Sequence, residues 1–284
     1  MQKPNQDEVV KLFPQLQNLK HVDNGGSKYV YKADHPTWGT VALLLMDEST
    51  NFDRIKREIQ ILSRGTIPCV PKLYEYGNKT AQDQEYTFFI EPFIAGDSLA
   101  DYLNKNNGLS LFRALDLLEW LLETAVKLEK EELVHRDIKP GNIKIESNNK
   151  FWLLDFGIAR ELNTESITST NLAYGPGTYG YAAPEQIRNI KNSICSRTDL
   201  FSIGVVFYEA LTKTQPFIAG NPPNGERIRR TLMDELPLIN IIEDQKGYLK
   251  LFVDSLVKKK VSERPPSAKK ALSYFLEKVR PSIY

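Results

Sequence analysis

The chain has 284 residues, 41% hydrophobic and 26% charged, which suits a globular protein with one large core or two smaller ones. A formal net charge of +1 gives no general attraction to nucleic acid or to an anionic membrane, so neither is expected as a partner. The longest apolar run, from Phe201 to Leu211 and broken by Glu209, is too short to span a bilayer, and the first residues carry no apolar signal region. Two cysteines in unrelated segments, Cys69 and Cys195, read as buried filler and suit a reducing cytoplasm.

In chain order, Val9, Val10, Leu12, Phe13, Leu16 and Leu19 recur at helical spacing and predict an amphipathic helix within residues 7–20. Tyr29-Val30-Tyr31-Lys32, residues 40–46 and residues 86–90 read as strands. Asn24-Gly25-Gly26 reads as a tight hairpin, because glycine accepts positive φ without a Cβ clash. Residues 52–62 form one helix among these strands. From Ser98 onward the pattern turns helical, over 99–103, 111–130, 200–211, 247–258 and 267–279. The basic runs 227–230 and 258–260 read as solvated helix faces. The three histidines lack metal-ligand spacing, and His21 and His35 read as surface or packing positions.

The chemistry concentrates in His135-Arg136-Asp137-Ile138-Lys139-Pro140-Gly141-Asn142-Ile143, a short loop carrying a carboxylate, an ammonium and a carboxamide. Thirteen residues after Asn142, an apolar run ends in Asp155-Phe156-Gly157. Asp137 can orient an acceptor hydroxyl, while Asn142 and Asp155 supply hard oxygen ligands for a metal that bridges phosphates. This constellation resembles the catalytic and metal-binding loops of eukaryotic-type (Hanks-type) serine/threonine protein kinases. Gly177-Thr178-Tyr179-Gly180-Tyr181-Ala182-Ala183-Pro184-Glu185 is similar to the end of a kinase activation loop. Residues 199–206 resemble the helix that anchors the catalytic loop, and Arg264 can pair with Glu185. The resemblance runs from about residue 20 to 275. It implies an α+β, bilobal fold: a helical extension over 1–20, a strand-rich N-lobe over 21–91 and a helical C-lobe over 92–284, with the catalytic domain at 21–279. It also implies ATP and Mg2+ as cofactors, and a protein substrate with a Ser or Thr acceptor.

One departure stands out. Kinases carry V-A-x-K on their third strand, and that lysine grips the nucleotide phosphates. Here the segment is Val41-Ala42-Leu43-Leu44, and residues 41–46 hold no lysine. Aligned on Val30, the glycine-rich pattern puts Asp23 at its first glycine, Gly25 at its second and Lys28 at its third. Side chains alternate along a strand, so Lys28 shares a face with Val30, and Leu44 with Ala42. A lysine stem of roughly 6 Å can then supply the missing ammonium from the neighbouring strand. The arrangement resembles the with-no-lysine kinases, although their D-L-G triplet is D-F-G here.

The resemblance assigns further roles. Lys28 binds the phosphates and pairs with Glu58, while Gly25 and Gly26 cover the nucleotide. Val30 and Ala42 sandwich the adenine, Ile90 stands at the gatekeeper position, and Glu91 and Phe93 present hinge backbone groups. Asp97 reaches a ribose hydroxyl or caps the helix beginning near Ser98. Lys144 occupies the floor beneath the adenine, its methylenes in contact and its amine reaching outward. Asp137 accepts the acceptor's proton, Lys139 stabilises the transferring phosphoryl group, and Thr178 hydrogen-bonds both, a serine/threonine-type feature. The segment from Asp155 to Glu185 holds Thr164, Ser166, Thr168, Ser169 and Thr170. Autophosphorylation at Thr168, Ser169 or Thr170, with Arg136 as the phosphate's partner, stands beside an unmodified polar loop as the alternative. The competing functions are a pseudokinase that binds nucleotide and regulates a partner, and transfer to another acceptor or of a nucleotidyl group.

Overall fold

The computed structural model describes residues 5–25, 28–47, 59–81, 84–156, 160–161 and 177–283. Its contacts gather into two compact units, Met1–Gly96 and Asp97–Tyr284. Strands dominate the first and helices the second, the composition of the bilobal protein kinase fold.

The first unit runs α1 (Gln6–Leu12), β1 (Gln17–Gly25), β2 (Lys28–His35), β3 (Gly39–Asp47), α2 (residues 59–64), β4 (Glu75–Ala81) and β5 (Gln84–Pro92). The strands form one antiparallel sheet in the order β1-β2-β3-β5-β4. The expected helix within 7–20 is shorter. Asn5 starts it with a capping box, and it ends at Leu12. Pro14 disfavours helical backbone at the residue before it, and Phe13 accordingly leaves the helix at φ −125°, ψ 65°. The chain then turns into β1, so Leu16 and Leu19 reach the core from a turn and a strand, while Val10 stays 44% exposed.

That core lies on one face of the sheet, where Val9, Phe13, Leu16 and Leu19 pack on Tyr31, Ala33, Val41, Leu43, Leu45, Phe88 and Ile90. The Phe13 and Phe88 rings meet edge to face at 4.9 Å. Register assigns the other face. Val30 lies opposite Leu44 and Leu44 opposite Phe89, while Lys32, Ala42 and Glu91 form a row across three strands. By strand alternation Lys28 and Met46 belong to this second face. The expected boundary at 91/92 compares with 96/97 by contacts; Phe93 is still tied to β3, its N–H donating to the Thr40 carbonyl at 3.2 Å.

The second unit opens with β6 (Asp97–Ser98), α3 (Leu99–Lys105) and α4 (Leu111–Lys130), followed by β7 (Leu133–Val134), β8 (Ile143–Ile145), β9 (Phe151–Leu153) and β10 (Arg160–Glu161). Then come α5 (Pro184–Ile187), α6 (Ser196–Thr212), α7 (Asn224–Met233), α8 (Tyr248–Leu256) and α9 (Ala268–Tyr274). Ser110 caps α4, whose apolar stripe from Ala114 to Leu128 is buried. Helix α6 is buried almost all round, from Thr198 to Tyr208. Gly204 lets α8 approach it, because a Cβ there would lie 2.6 Å from Val257 Cγ1. No helix among the described residues is long and apolar enough to cross a membrane.

The basic runs and the cysteines fall as follows. Arg229 and Arg230 are paired with Glu226, and Arg229 also with Asp234, as a solvated helix face should be. Lys259 is only partly exposed. Its ammonium sits 4.2 Å from the Phe217 ring centroid and donates to the Thr231 carbonyl, and burial lowers its pKa to about 8. Cys69 and Cys195 are free thiols and half-buried rather than enclosed.

Phe13 is fully buried beneath the sheet, so Phe13→Ala should cost about 3 kcal/mol. Urea unfolding of the variant, compared with Val10→Ala as the exposed control, measures it.

Candidate active site

The geometry of the second unit starts at one carboxylate. Asp199, on the first turn of α6, is 1% exposed and accepts the backbone N–H groups of His135 at 2.8 Å and Arg136 at 2.9 Å. Burial raises its pKa to about 6, against the opposing pull of those two N–H groups. The two bonds hold the loop in a conformation it would not otherwise favour, since Arg136 has φ +71°.

His135 is fully buried. Its Nδ1 accepts the Asp137 N–H at 3.2 Å, and its ring meets Phe156 edge to face at 4.5 Å. Desolvation takes its pKa down to about 4, so it is a neutral spacer between the loop and Phe156. The Leu154 N–H donates to the Asn142 carbonyl at 2.8 Å, which ties the end of β9 to the same loop and brings Asp155 to it. Asp155 is exposed and also left-handed, at φ +65°.

Three side chains converge on Asp137. Its Oδ2 accepts from Lys139 Nζ at 2.7 Å and Asn142 Nδ2 at 3.0 Å, and its Oδ1 accepts the Thr178 hydroxyl at 2.8 Å. Lys139 Nζ donates to Thr178 Oγ1 at 2.8 Å, which closes the ring. A carboxylate held from three directions keeps its remaining lone pairs aimed, as an oriented base requires. Asn142 Nδ2 also donates to the Asp137 carbonyl at 2.9 Å. Its amide nitrogen is thereby committed, and Oδ1 remains as a hard acceptor.

Thr178 is carried by a segment fastened below. Glu185 and Arg264 form a two-pronged ion pair, with both contacts 2.8 Å and side chains 3% and 0% exposed. Tyr181 donates to Glu209, and Ser202 donates to the Tyr181 carbonyl at 2.9 Å. Burial raises the pKa of Glu209.

Other expected residues fall as follows. Lys28 is half-buried at the start of β2, on the sheet face that carries Val30, Ala42 and Leu44. Gly25 ends β1 opposite Lys28. Gly26, Glu58 and the candidate phosphate acceptors Thr168, Ser169 and Thr170 lie outside the described residues, as do Thr164 and Ser166. At the end of β5, Ile90 is buried in the core on the α1 face, whereas Phe89 and Glu91 stand opposite Leu44 and Ala42 on the other face. The Phe93 N–H is spent on Thr40, and the next main-chain N–H belongs to Ile94. Asp97 neither caps α3 nor stands alone. Lys105 donates to it at 2.8 and 2.9 Å, while Ser98 and Asp101 form the capping box. Lys144 is half-buried on β8 between buried Ile143 and Ile145.

The Protein kinase domain family matches residues 16–275. The chain belongs to the protein kinase family. It is 30% identical over 204 residues to a probable serine/threonine-protein kinase of Streptomyces coelicolor, covering 70% of this chain and 30% of that one. Serine/threonine-protein kinase PknB of Mycolicibacterium smegmatis is 30% identical over 169 residues, 60% of this chain and 27% of that one. Serine/threonine-protein kinase PrkC of Bacillus subtilis is 28% identical over 213 residues, 73% and 32% respectively. The chain thus spans about a third of the length of these relatives. Family members use ATP and a divalent metal. The second unit fits such a metal, since Asn142 Oδ1 and the exposed Asp155 carboxylate are hard oxygen donors joined through the Leu154–Asn142 bond.

Two outcomes test this framework. Arg264→Met should cost about 3–5 kcal/mol in thermal or urea unfolding, because it leaves the Glu185 carboxylate buried without its cation, while Arg264→Met with Glu185→Gln should recover part of the loss. His135 must stay neutral in the fold but protonates near its ordinary value of 6.5 when unfolded, so its contribution is lost as pH falls from 6.5 toward 4. Urea titrations over that window should show the stability of wild type falling more steeply than that of His135→Phe.

Proposed function

We propose that the chain is an ATP-dependent serine/threonine protein kinase that passes the γ-phosphoryl group of Mg-ATP to protein hydroxyls. The observation that carries this reading is the closed set around Asp137, in which Lys139, Asn142 and Thr178 all hydrogen-bond one carboxylate. Asp137 orients the acceptor hydroxyl and takes its proton. Lys139 sits beside both acceptor and transferring group and offsets their charge. Asn142 and Asp155 hold the metal, which when bound neutralises phosphate charge. Thr178, bridging Asp137 and Lys139, supports a serine or threonine acceptor.

Lys28 is the proposed phosphate cation in place of the third-strand lysine. Residues 39–47, the whole of β3, contain none, and Leu44 occupies the position opposite Val30. Lys28 lies two residues from Val30 on the same face. Val30 and Ala42 bracket the adenine, with Ile94 replacing Phe93 as the source of a hinge N–H. Glu58 is the proposed partner of Lys28, and Gly25 and Gly26 cover the phosphates. Asp97 reaches the ribose only by exchanging Lys105. Self-phosphorylation at Thr168, Ser169 or Thr170 belongs to the same proposal, with Arg136 as the phosphate's partner. A cytoplasmic setting, where ATP is supplied and thiols stay reduced, suits the free Cys69 and Cys195.

The second reading, a pseudokinase acting as a nucleotide-responsive module, is favoured by Leu44 alone. Incubation with γ-labelled and α-labelled ATP separates the possibilities. Wild type should transfer only the γ-label to protein, Asp137→Asn should fall by about 10²-fold or more, and Lys28→Met should be inactive. Absence of transfer by wild type sinks the kinase reading, and full activity in Lys28→Met sinks the relocated cation.

A further inference from the structure

Thr178 reaches Asp137 and Lys139 from a short stretch bounded by two glycines, and both have positive φ, +147° at Gly177 and +98° at Gly180. The reason for two glycines is visible on their Cα sides. A Cβ on Gly177 would collide with Nε2 of Gln186, and a Cβ on Gly180 would lie 2.6 Å from Nε2 of Gln215 and 2.9 Å from Ile218 Cγ2. Each glycine therefore rests on the nitrogen end of a carboxamide. Both glutamines are enclosed, Gln186 at 0% exposure and Gln215 at 7%.

Neither carboxamide is a passive filler, because each is fixed by bonds that decide which end faces its glycine. Gln186 Nε2 donates to the Arg136 carbonyl at 2.7 Å, one residue before Asp137. Gln215 Oε1 accepts the N–H groups of Phe217 and Ile218, each at 2.7 Å. With its oxygen so held, Gln215 must turn Nε2 toward Gly180, where that atom is buried and has no hydrogen-bond partner among the described residues. An unmade pair of donors in a closed site carries a desolvation cost. An apolar side chain of similar size would avoid that cost but would leave the two N–H groups without an acceptor.

We propose that Gln186 and Gln215 are positioning residues that clamp the Gly177–Gly180 stretch from its two ends and so set where Thr178 meets Asp137 and Lys139. The two ends answer to different parts of the unit. Gln186 fixes the stretch relative to the catalytic loop, so its loss should act on the chemical step. Gln215 fixes it relative to the turn after α6, on the side that leads into Tyr181, so its loss should act on capture of the protein acceptor. The kinetic half of this inference rests on the kinase reading above; the geometric half does not.

The test uses the full chain with Gln186→Glu and Gln215→Glu. Gln215→Glu keeps an oxygen for Phe217 and Ile218 and removes only the donor end, whereas Gln186→Glu sets an oxygen against the Arg136 carbonyl. With dephosphorylated casein as acceptor, Gln186→Glu should lower kcat at least tenfold at unchanged KM for ATP. Gln215→Glu should raise KM for casein at least fivefold with kcat within twofold. Hydrogen–deuterium exchange should rise in residues 177–181 in both variants, with the thermal midpoint within a few degrees of wild type. Exchange like that of wild type in both variants overturns the clamp, and so does a loss of activity that tracks a fallen midpoint. If wild type transfers no phosphate, the kinase reading fails, while the exchange measurement still decides the clamp.

Discussion

Asp199 spends both of its carboxylate oxygens on the main chain of a loop more than sixty residues earlier in sequence, and the rest of the second unit is arranged around that attachment. The exchange is not obviously favourable to stability. Burying the carboxylate is costly enough to raise its pKa to about 6. What the two bonds secure is position. They fix His135 and Arg136 to the rigid, fully enclosed helix α6, and Asp137 follows in sequence with its N–H taken by His135. The Glu185–Arg264 pair does the same for the Thr178 segment, since Arg264 also donates to carbonyls of Lys258 and Arg197 beside α6. Two anchored strips of chain, one bearing Asp137 and Lys139 and one bearing Thr178, are thus referred to one helix.

Much of this was legible because the chemistry requires particular residue types at fixed separations. His135, Arg136, Asp137, Lys139, Asn142, Asp155, Glu185, Asp199 and Arg264 are polar residues whose spacing no amphipathic pattern explains. The long helices were equally plain: the stripe of 111–130 repeats at helical period, and α4 spans those residues. The failures have local causes. The run Tyr86 to Ile90 is almost wholly apolar, so alternation could not say which residues face α1, and a shift of one flips every side chain to the other face. The burial of Ile90 on the α1 face is not readable from that run for the same reason. The extent of the first helix was misread because Leu16 and Leu19 fit a helical period that Pro14 forbids. Strand β4, Glu75-Tyr76-Gly77-Asn78-Lys79-Thr80-Ala81, lies at the sheet edge, where half the residues face solvent and the apolar signal is weak. Lys259 looked like part of a basic run because nothing in sequence announces that Phe201 and Phe217 lie beneath it. Gln186 and Gln215 carried no signal at all, since a carboxamide acquires a role only from the backbone around it.

The sheet of the first unit poses a charge problem that its register makes specific. Its second face offers Leu44 where a phosphate-binding cation is expected, between Val30 on one side and Phe89 on the other. An ammonium at Leu44 would stand on a central strand, flanked on both sides and largely desolvated, whereas Lys28 stands at the end of β2 and is only half-buried. A half-exposed lysine keeps its charge at lower desolvation cost. It also has more rotamers to lose when it engages a ligand. If Lys28 is the phosphate cation, as proposed, that placement exchanges a preorganised charge for an easily ionised one and makes nucleotide affinity depend more on what orders the start of β2.

Backbone strain bears on whether the second unit is a working site or a relic of one. Arg136 at φ +71° and Asp155 at φ +65° are side-chain-bearing residues held in the left-handed region. Such a conformation costs on the order of 1–2 kcal/mol for a residue with a Cβ. Glycine would relieve that strain at either position, and Asn149, Asn189 and Asn221 show where the chain uses asparagine, a residue that tolerates the region better, in ordinary turns. Cys69, Glu132 and Lys213 adopt the same region elsewhere, so positive φ is not peculiar to this loop; at Arg136 and Asp155 what it secures is a particular backbone path. At Asp155 the path follows Leu154, whose N–H is held by the Asn142 carbonyl, and seats Phe156 against His135; at Arg136 it turns the loop so that Asp137 faces Lys139, Asn142 and Thr178. Under the proposed kinase reading, that cost keeps the base and the metal ligands fixed before the nucleotide arrives.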